Sequence, residues 1–573
     1  MDLRGRLIAA AAGRLGVVAA ALAATLAAPA PGLAQSPSAP GSTAPGIEVS
    51  DDLPNRPDGY ELSAREAIEI ANGDTRVAEM REGWGDLEAA AEVKFPDTWE
   101  IGYVAEGEKR ALVIVVDSTG EVKESWTGHQ VAWQMARGYE GSFGHLLNAP
   151  YVWIPLSALF FFGLFDLRRP RRWAHLDLLV LLSFSVSQVF FNDGNIGVSV
   201  PLAYPPLAYL LARMLWIGFR GPGAGLRPSA PIAWLAIATC FLLGFRVALN
   251  IADSGVIDVG YAGVIGADRI VHGEPLYGED AFPDDNPFGD TYGPLNYYVY
   301  VPFELVFAWD GDWDELPAGH AAAIAFDLAC VALLFLLGRR LRPGEAGRNL
   351  GIVLAFAWAA FPYTTYTLQS NANDALVAAL VIGALLAINS PPLRGAFAAL
   401  AALTKFAPFA LVPLLAAGPR AGLASRDPVT GDGPLSASRL RAVGLFAVGL
   451  AAATGAVMAQ TLLDPGFATF FDRTIANQVD RDSPFSVWGQ VPSLDWLQLA
   501  AQAAAAALAV LVAFVPTRRT LPQVAALAAA VLIAAQLTAD HWFYLYIVWF
   551  LPGVLVALAI RGDRAVGPTT AGR

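Results

Sequence analysis

Long apolar runs alternate with short charged loops along most of this chain. Runs close to the roughly 20 residues that cross a bilayer occur at about 151–167, 174–191, 199–219, 231–251, 318–338, 349–368, 373–389, 442–463, 496–515, 521–538 and 542–560. These eleven runs predict eleven membrane-spanning helices. A further apolar segment, 395–417, has Arg394 and Arg420 at its ends and Thr404, Lys405 and Pro408 at its centre. It predicts a re-entrant hairpin, because a single crossing would reverse every later loop.

Arginine placement orients the predicted spans. Residues 1–34 carry early arginines, an apolar run and a terminal Gly32-Leu33-Ala34, the pattern of a secretory signal peptide. The residues that follow are therefore expected outside the cytoplasm. Alternating loops then place twenty arginines inside and only Arg269, Arg473 and Arg481 outside. This bias supports a multi-pass membrane protein with a cytoplasmic C-terminus.

The segment before the first span predicts a small α+β domain outside the membrane. Residues 35–57 are rich in Ser, Pro and Gly, which is typical of a flexible linker. Ser63–Asn72 has helical spacing with Ser63 and Glu66 placed for a capping box, while Trp99–Val104, Leu112–Val116 and Glu121–Trp126 are strand-like. Asp117 to Gly120 predicts a turn between the last two strands.

Composition and charge narrow the class of protein. Hydrophobic residues make up 55% of the 573 residues and charged residues only 16%, with a mean hydropathy of +0.45. A soluble domain carries roughly 25% charged residues, so a soluble globule is excluded. The net charge of −13 argues against nucleic acid as a partner. Cys240 and Cys330 both lie in apolar runs and predict neither a disulfide framework nor a metal site.

The chemistry is expected in the long outer loop at 252–317, which holds fourteen acidic residues. The spacing of Val264, Ile265, Ile270 and Val271 predicts a short amphipathic helix on the membrane surface. The D-x-D pattern of Asp310, Asp312 and Asp314 favours a solvated acidic loop, with a divalent metal as the minority interpretation. No other cofactor is predicted.

Several motifs in this and later outer loops resemble a known family. They are, in order, Asp258-Val-Gly-Tyr261, Gly273-Glu-Pro-Leu-Tyr277, Asp290-Thr-Tyr-Gly-Pro294, Asn371-Ala-Asn-Asp374, Thr404-Lys-Phe-Ala-Pro408, Ser483-Pro-Phe-Ser-Val-Trp-Gly489 and a last span that starts at His541. The order resembles the C-superfamily of polytopic membrane glycosyltransferases, especially the polyprenyl-phosphate mannosyltransferase-like family 87, over about residues 231–560. The stretch 113–128 resembles PepSY-type extracytoplasmic domains.

The resemblance implies transfer of a sugar, such as mannose, from a polyprenyl-phosphate donor to a glycolipid or cell-envelope glycan in a bacterium. Asp258 matches the family's catalytic aspartate, with Asp253 as the competing candidate. Lys405 is the only lysine of the membrane part and is expected to bind the donor phosphate. His541 and Arg246 are further phosphate candidates, although Arg246 could instead pair with Asp253. The remaining substrate-binding candidates are Tyr261, Arg269, Tyr292, Asn371, Asn373, Asp374 and Trp488.

The sequence therefore predicts an all-α polytopic membrane bundle of about eleven spans plus a re-entrant hairpin, with a small α+β extracytoplasmic N-terminal domain. The predicted boundaries are 1–34 for the signal peptide, 35–57 for the linker, 58–148 for the PepSY-like domain, 149–562 for the glycosyltransferase-like membrane domain and 563–573 for the cytoplasmic tail. A lipid or glycolipid transporter, or a membrane sensor with a regulatory ectodomain, remains the alternative. A transporter should show internal repeats, and none is found in the sequence.

Overall fold

A computed structural model describes most of the chain. The described residues are 56–57, 60–84, 87–94, 98–105, 108–127, 137, 143–223, 225–278, 281–283, 286, 288–311, 313, 316–419, 437–476 and 483–560. The predicted signal peptide, nearly all of the linker and the C-terminal tail lie outside these residues, as do Asp312, Asp314, Arg420 and Arg481.

The N-terminal domain has the α+β fold that its patterning predicts. Two helices, α1 (Ala64–Asn72) and α2 (Thr75–Trp84), precede an antiparallel sheet of β1 (Glu88–Lys94), β2 (Thr98–Ala105), β3 (Glu108–Val116) and β4 (Val122–Thr127), in the order β1-β2-β3-β4. The predicted capping box is present, because the Ser63 hydroxyl accepts from the Glu66 N–H and the Glu66 carboxylate accepts from the Ser63 N–H.

Asp117 joins the start of α1 to the sheet. Its carboxylate accepts hydrogen bonds from the Glu61 and Leu62 backbone and from Trp99 Nε1, at 2.5, 2.9 and 2.9 Å. Trp99 is fully buried in the domain core. The turn expected at Asp117 to Gly120 therefore also closes the core.

The rest of the described chain is a helical bundle. Its longer helices are α3 (Pro150–Leu164), α4 (Trp173–Asn192), α5 (Ile196–Arg220), α6 (Ile232–Ala252), α7 (Asp258–His272), α8 (Pro317–Leu341), α9 (Gly344–Ala360), α10 (Pro362–Gln369), α11 (Asp374–Leu386), α12 (Pro391–Ala402), α13 (Val412–Ala417), α14 (Ala437–Leu463), α15 (Asp495–Phe514), α16 (Leu521–Leu537) and α17 (Ile547–Ala559). Shorter helical turns lie at His145–Asn148, Leu295–Tyr298, Val301–Glu304, Ala407–Leu411, Phe467–Phe471, Val487–Gln490 and Tyr544–Tyr546.

Six helices of the described chain are long and apolar enough to cross a membrane, namely α4, α5, α6, α8, α14 and α15. Other predicted spans are shorter: α11 has 13 residues and α16 has 17. The predicted span at 349–368 is interrupted at Phe361. Pro362 has no N–H to continue the hydrogen bonds of α9, and it starts the new helix α10. A helical membrane-type bundle is therefore shown, and the count of eleven spans remains a prediction.

The segment between Pro391 and Gly418 turns back on itself. Helix α12 ends at Ala402, and the chain returns through the turn Ala407–Leu411 and α13. At the base of the segment, Gly418 packs against the Arg394 guanidinium, and its carbonyl accepts from Arg519 Nε at 3.0 Å. The two ends therefore meet, as a hairpin requires, and the side of the membrane on which they meet remains a prediction.

Helix α7 corrects one expectation. The helix exists, but residues 259–267 are buried, with Val264 and Ile265 each 1% exposed, and only its C-terminal end reaches the surface, where Val271 is 44% exposed. The reason is a row of glycines: a Cβ at Gly260, Gly263 or Gly266 would collide with the Asn371 carbonyl, the Tyr300 ring or the Tyr297 ring. The apolar pattern of α7 is thus one of core packing.

Cysteine labelling tests the hairpin and the orientation together. In a background without Cys240 and Cys330, single cysteines replace His272, Glu345 and Ala437, which are all exposed. An impermeant thiol reagent should label intact cells carrying His272→Cys and should not label Glu345→Cys or Ala437→Cys until the cells are opened. Labelling of Ala437→Cys in intact cells would contradict a hairpin at 395–417, since one crossing there would put α14's first turn outside.

Candidate functional site

The hairpin tip carries the lone lysine of the membrane part to a buried aspartate. Lys405 Nζ donates to Asp374 Oδ1 at 2.9 Å. The Asp374 side chain is fully buried and that of Lys405 is 11% exposed. Removing two charges from water is costly unless they are paired. The pair therefore fixes the hairpin tip against the first turn of α11.

Two aromatic rings complete the surroundings of this ammonium group. The rings of Tyr546 and Trp549 stack with centroids 4.5 Å apart, and Lys405 Nζ lies 5.3 and 5.4 Å from their respective centroids. Trp549 Nε1 also donates to Asp374 Oδ1 at 2.7 Å. Cation–π contacts of this length favour a positive charge held away from bulk water. The last helix thus holds both members of the pair.

A group of buried polar atoms without partners lies beside the pair. Asn373 Nδ2 donates to Asn296 Oδ1 at 2.5 Å. Among the described residues, however, Asn373 Oδ1, Asn296 Nδ2, Asp374 Oδ2 and the Tyr300 hydroxyl have no hydrogen-bond partner. Buried polar groups are normally satisfied. Two acceptors and two donors are therefore available here to water or to a polar ligand.

The hairpin tip also contacts the part of the outer loop that reaches Asp258. The Leu403 carbonyl accepts from the Leu295 N–H at 3.1 Å and lies so close to Gly293 that no side chain would fit there. One residue earlier, the Tyr292 hydroxyl lies 3.5 Å from Asp258 Oδ2. A continuous path of contacts thus joins Lys405, Tyr292 and Asp258. The structure brings these three predicted site residues into one region.

Asp258 is the first residue of α7 and its side chain is exposed. A helix N-terminus favours a negative charge. Asn286 Nδ2 donates to the Asp258 carbonyl at 3.0 Å, which ties the outer loop to the start of the helix. The Asp258 main chain is therefore fixed by the outer loop, while its carboxylate is open to solvent, where a general base can reach an acceptor hydroxyl.

Asp253, the competing candidate, holds the short segment that precedes α3. Its carboxylate accepts from the backbone N–H groups of Gly144 and Leu146 at 3.1 and 2.7 Å. Its carbonyl accepts from Gln369 Nε2 at 3.0 Å. Asp253 therefore has a structural explanation that Asp258 lacks.

Arg246 pairs with Asp327 and not with Asp253. It is 1% exposed, forms a close ion pair with Asp327 and donates to the carbonyls of Trp358 and Ala359 at 3.2 and 3.0 Å. The expected Asp253 partnership is thus wrong, because the guanidinium points into the α6, α8 and α9 packing. Its location also leaves no exposed face for a donor phosphate.

Other predicted site residues have packing roles. Asn371 adopts a positive φ of 46° and bonds to Asn250, Ser254 and Gly255, which fixes the chain just before Asp258. Tyr261 stacks on Trp313 at 4.6 Å, and Trp488 Nε1 donates to the Leu537 carbonyl at 3.0 Å.

His541 and Arg269 have polar partners on the predicted outer side. The Ser483 hydroxyl lies 2.9 Å from His541 Nδ1, so that the two outer-loop motifs do meet. Arg269 donates to the Pro275 carbonyl at 2.7 Å and forms a 3.1 Å ion pair with Glu274. Arg269 also lines a cavity.

A clamp between two of the predicted outer loops was not foreseen from the sequence. Arg473 donates through Nε and Nη2 to the fully buried Asp290, at 2.6 and 2.9 Å. Burial raises the pKa of the Asp290 carboxyl, and the Arg473 hydrogen bonds oppose that rise. The signal available in the sequence was that Arg473 is one of only three arginines in the predicted outer loops.

The described residues contain no group of three or more His, Cys, Asp and Glu side chains placed to hold a metal ion. Asp312 and Asp314 of the predicted D-x-D motif lie outside them, so the motif as a whole stays a prediction.

Comparison with protein-family models, curated proteins and solved structures gives no significant match to this chain.

Changing Asp253 should loosen the segment that precedes α3. Asp253→Ala removes a charged acceptor from two backbone N–H groups, and hydrogen bonds to charged groups contribute about 1.5–3 kcal/mol. We expect limited proteolysis within residues 143–149 to be roughly tenfold faster or more, since about 1.4 kcal/mol is a factor of ten. Asp193→Ala, at another exposed outer aspartate, is the control. An unchanged cleavage rate would show that the two hydrogen bonds to Asp253 do not stabilise this segment.

Proposed function

We propose that this protein transfers a sugar from a polyprenyl-phosphate donor to a hydroxyl group of an extracytoplasmic acceptor, such as a glycolipid or envelope glycan. One observation carries the proposal. A hairpin places the only lysine of the membrane part in a buried polar cluster, and the same hairpin tip contacts the outer loop that reaches Asp258. A phosphate-binding cation and a general base on one side of a bundle suit this chemistry.

The reaction balances with these two groups. The acceptor hydroxyl loses its proton to the Asp258 carboxylate and attacks the anomeric carbon. The bond from that carbon to the phosphate oxygen breaks, and the polyprenyl phosphate leaves with the electron pair. Lys405 stabilises the growing negative charge on the phosphate. No electrons enter or leave, so the step needs no redox cofactor.

The ion pair with Asp374 shapes how Lys405 would act. Among the described residues, one of its three ammonium N–H groups donates to Asp374, which leaves two for a phosphate. Asp374 reduces the net attraction for an anion and also holds the ammonium in one position. The unpartnered donors of Asn296 and Tyr300 would add neutral hydrogen bonds to the same ligand. We infer that positioning, rather than net charge alone, provides the grip on the donor.

Transport of a lipid or glycolipid is the second candidate, and buried charge pairs favour it. Arg246 pairs with Asp327, and Arg213 pairs with Asp177 at 3.0 Å, both within bundle helices. Transporters use such pairs along a pathway. Transfer and transport differ in outcome, because only transfer converts the donor into polyprenyl phosphate.

Asp258→Asn should abolish most of the transfer. Asparagine keeps the shape of the side chain and cannot accept the proton, and loss of a general base costs roughly 10²–10⁴ in rate. Transfer from radiolabelled polyprenyl-phosphate mannose is measured in membranes at equal amounts of monodisperse protein. Asp253→Asn and Asp193→Asn are the controls and should stay within a few-fold of wild type. A dead Asp253→Asn beside an active Asp258→Asn would reassign the base to Asp253.

A charge-neutral double variant separates phosphate binding from folding at Lys405. Lys405→Met alone leaves Asp374 buried and uncompensated, a loss of about 3–5 kcal/mol. Lys405→Met combined with Asp374→Asn removes both charges, so we expect the melting temperature to recover while donor binding stays weak. Equilibrium binding of the labelled donor to the purified protein gives the answer. Wild-type affinity in the double variant would leave the lysine with a structural role only.

A further inference from the structure

A cavity lies against the long loop at 252–317, at the opposite end of α7 from Asp258. It has a volume of about 240 Å³. Its walls include Asp268 and Arg269 of α7, Glu274 after it, and the rings of Phe282 and Trp309. Ligand pockets for drug-sized molecules begin at about 300 Å³, so this one suits a smaller unit. The carboxylates and the guanidinium can form hydrogen bonds with the hydroxyl groups of a sugar. The aromatic rings can stack on the apolar face of the sugar ring.

The charges around the cavity are mostly negative. Asp268 and Glu274 line it, and Arg269 is already paired with Glu274 at 3.1 Å. Glu304 lies close by: it is 3% exposed, one oxygen accepts from the Trp309 N–H at 2.6 Å, and the other has no partner among the described residues. Three carboxylates face two basic side chains, Arg269 and His272, whose ring lies 3.1 Å from Asp268, and this excess of acidic groups disfavours an anionic ligand. A neutral polyhydroxylated ligand can instead donate hydrogen bonds to the carboxylate oxygens.

The cavity lies some distance from the proposed base. Asp258 and Asp268 are ten residues apart on α7, and a helix rises 1.5 Å per residue, which gives about 15 Å. One sugar ring is shorter than this separation. A sugar in the cavity would therefore belong to the same acceptor as the reacting hydroxyl only if that acceptor contains several sugars.

We propose that this cavity is a subsite for a neutral sugar of an oligosaccharide acceptor, distal to the hydroxyl that reacts. The inference rests on the proposed transfer activity and adds the class of acceptor: a glycan of several neutral sugars rather than a monosaccharide or an acidic glycan. Trp309 stacks on the ring, while Asp268 and Glu274 accept its hydroxyl hydrogens. Arg269 keeps Glu274 in place.

Binding, measured without catalysis, tests the subsite. The full chain is placed in lipid nanodiscs, because glycoside detergents would compete, and saturation-transfer NMR is recorded with mannotriose, maltotriose and trigalacturonate. At least one neutral trisaccharide should bind, with the strongest transfer to one end sugar, and trigalacturonate should bind about tenfold more weakly or not at all. Trp309→Leu should weaken the neutral ligand about tenfold, the loss of one aromatic contact. Asp268→Lys should admit trigalacturonate.

Glu345→Gln, an exposed change far along the chain, is the control and should bind as wild type does. Each variant is compared with the control at equal monodisperse protein. The proposal is overturned if neither neutral trisaccharide binds to wild type, or if Trp309→Leu and Asp268→Lys both leave the binding pattern unchanged. Because the readout is binding, it is separate from transfer: a protein that binds trisaccharides and transfers no sugar would contradict the proposed function and leave the subsite standing.

Lipid-linked and free glycans are distinguished by a second arm. The binding measurement is repeated with the same trisaccharide carrying a long alkyl chain at its reducing end, which inserts into the nanodisc. The same Trp309→Leu loss with both forms means that the cavity recognises the sugar itself. Binding of the alkylated form that is insensitive to Trp309→Leu would mean that the lipid chain, and not the cavity, provides the contact, and would overturn the proposal for that acceptor.

Discussion

The contact between Lys405 and Asp374 is the interaction on which the rest of the proposed site depends. A lysine within an apolar segment costs roughly 2.5–3.5 kcal/mol on insertion scales, and a buried aspartate alone is equally unfavourable. At 2.9 Å each compensates the other, with Trp549 as a further donor to the carboxylate. The pair forms at the point where the segment between Pro391 and Gly418 turns back. The path of the hairpin and the position of the charge are thus one constraint.

The backbone of the outer loop packs closely against the hairpin. Gly293 lies against the Leu403 carbonyl, and Gly260 lies against the Asn371 carbonyl. The side chain of Asn371 then bonds to the chain on either side of Ser254. Asp258 follows within a few residues, at the start of α7. Its position is therefore set by small residues and amide hydrogen bonds, while the charged groups of the bundle interior set the position of Lys405.

The sequence pattern predicted elements that are specified by their own residues. It did not predict whether an apolar helix would be buried in protein or would face lipid. The capped helix α1 and the strands β2, β3 and β4 agree with their local signals, since a capping box or an alternating strand is specified by its own residues, whereas α2 and β1 were not predicted. Helix α7 was predicted, but its burial was not. An apolar face can contact lipid or protein equally well, and only the glycines at 260, 263 and 266 indicated that other rings pack there.

The sequence also did not predict ion pairs between residues that are far apart along the chain. Lys405 was identified because it is the only lysine of the membrane part, yet nothing in its neighbourhood pointed to Asp374. Arg246 was predicted to bind the donor phosphate or to pair with Asp253, and it bonds to Asp327 on another helix instead. The Arg473 and Asp290 clamp joins residues 183 positions apart. Periodicity carries no information about such pairs, because each depends on how helices meet.

The most direct test of the account follows a labelled donor in oriented vesicles. Wild-type protein is reconstituted with its N-terminal domain facing outward, and polyprenyl-phosphate mannose with labelled sugar and an envelope lipid extract as acceptor are supplied in the membrane. The account predicts that label moves to the extract, that one polyprenyl phosphate appears for each sugar transferred, and that both products are accessible from the outer face. Movement of intact donor from one leaflet to the other, without release of polyprenyl phosphate, would contradict it and identify a transporter.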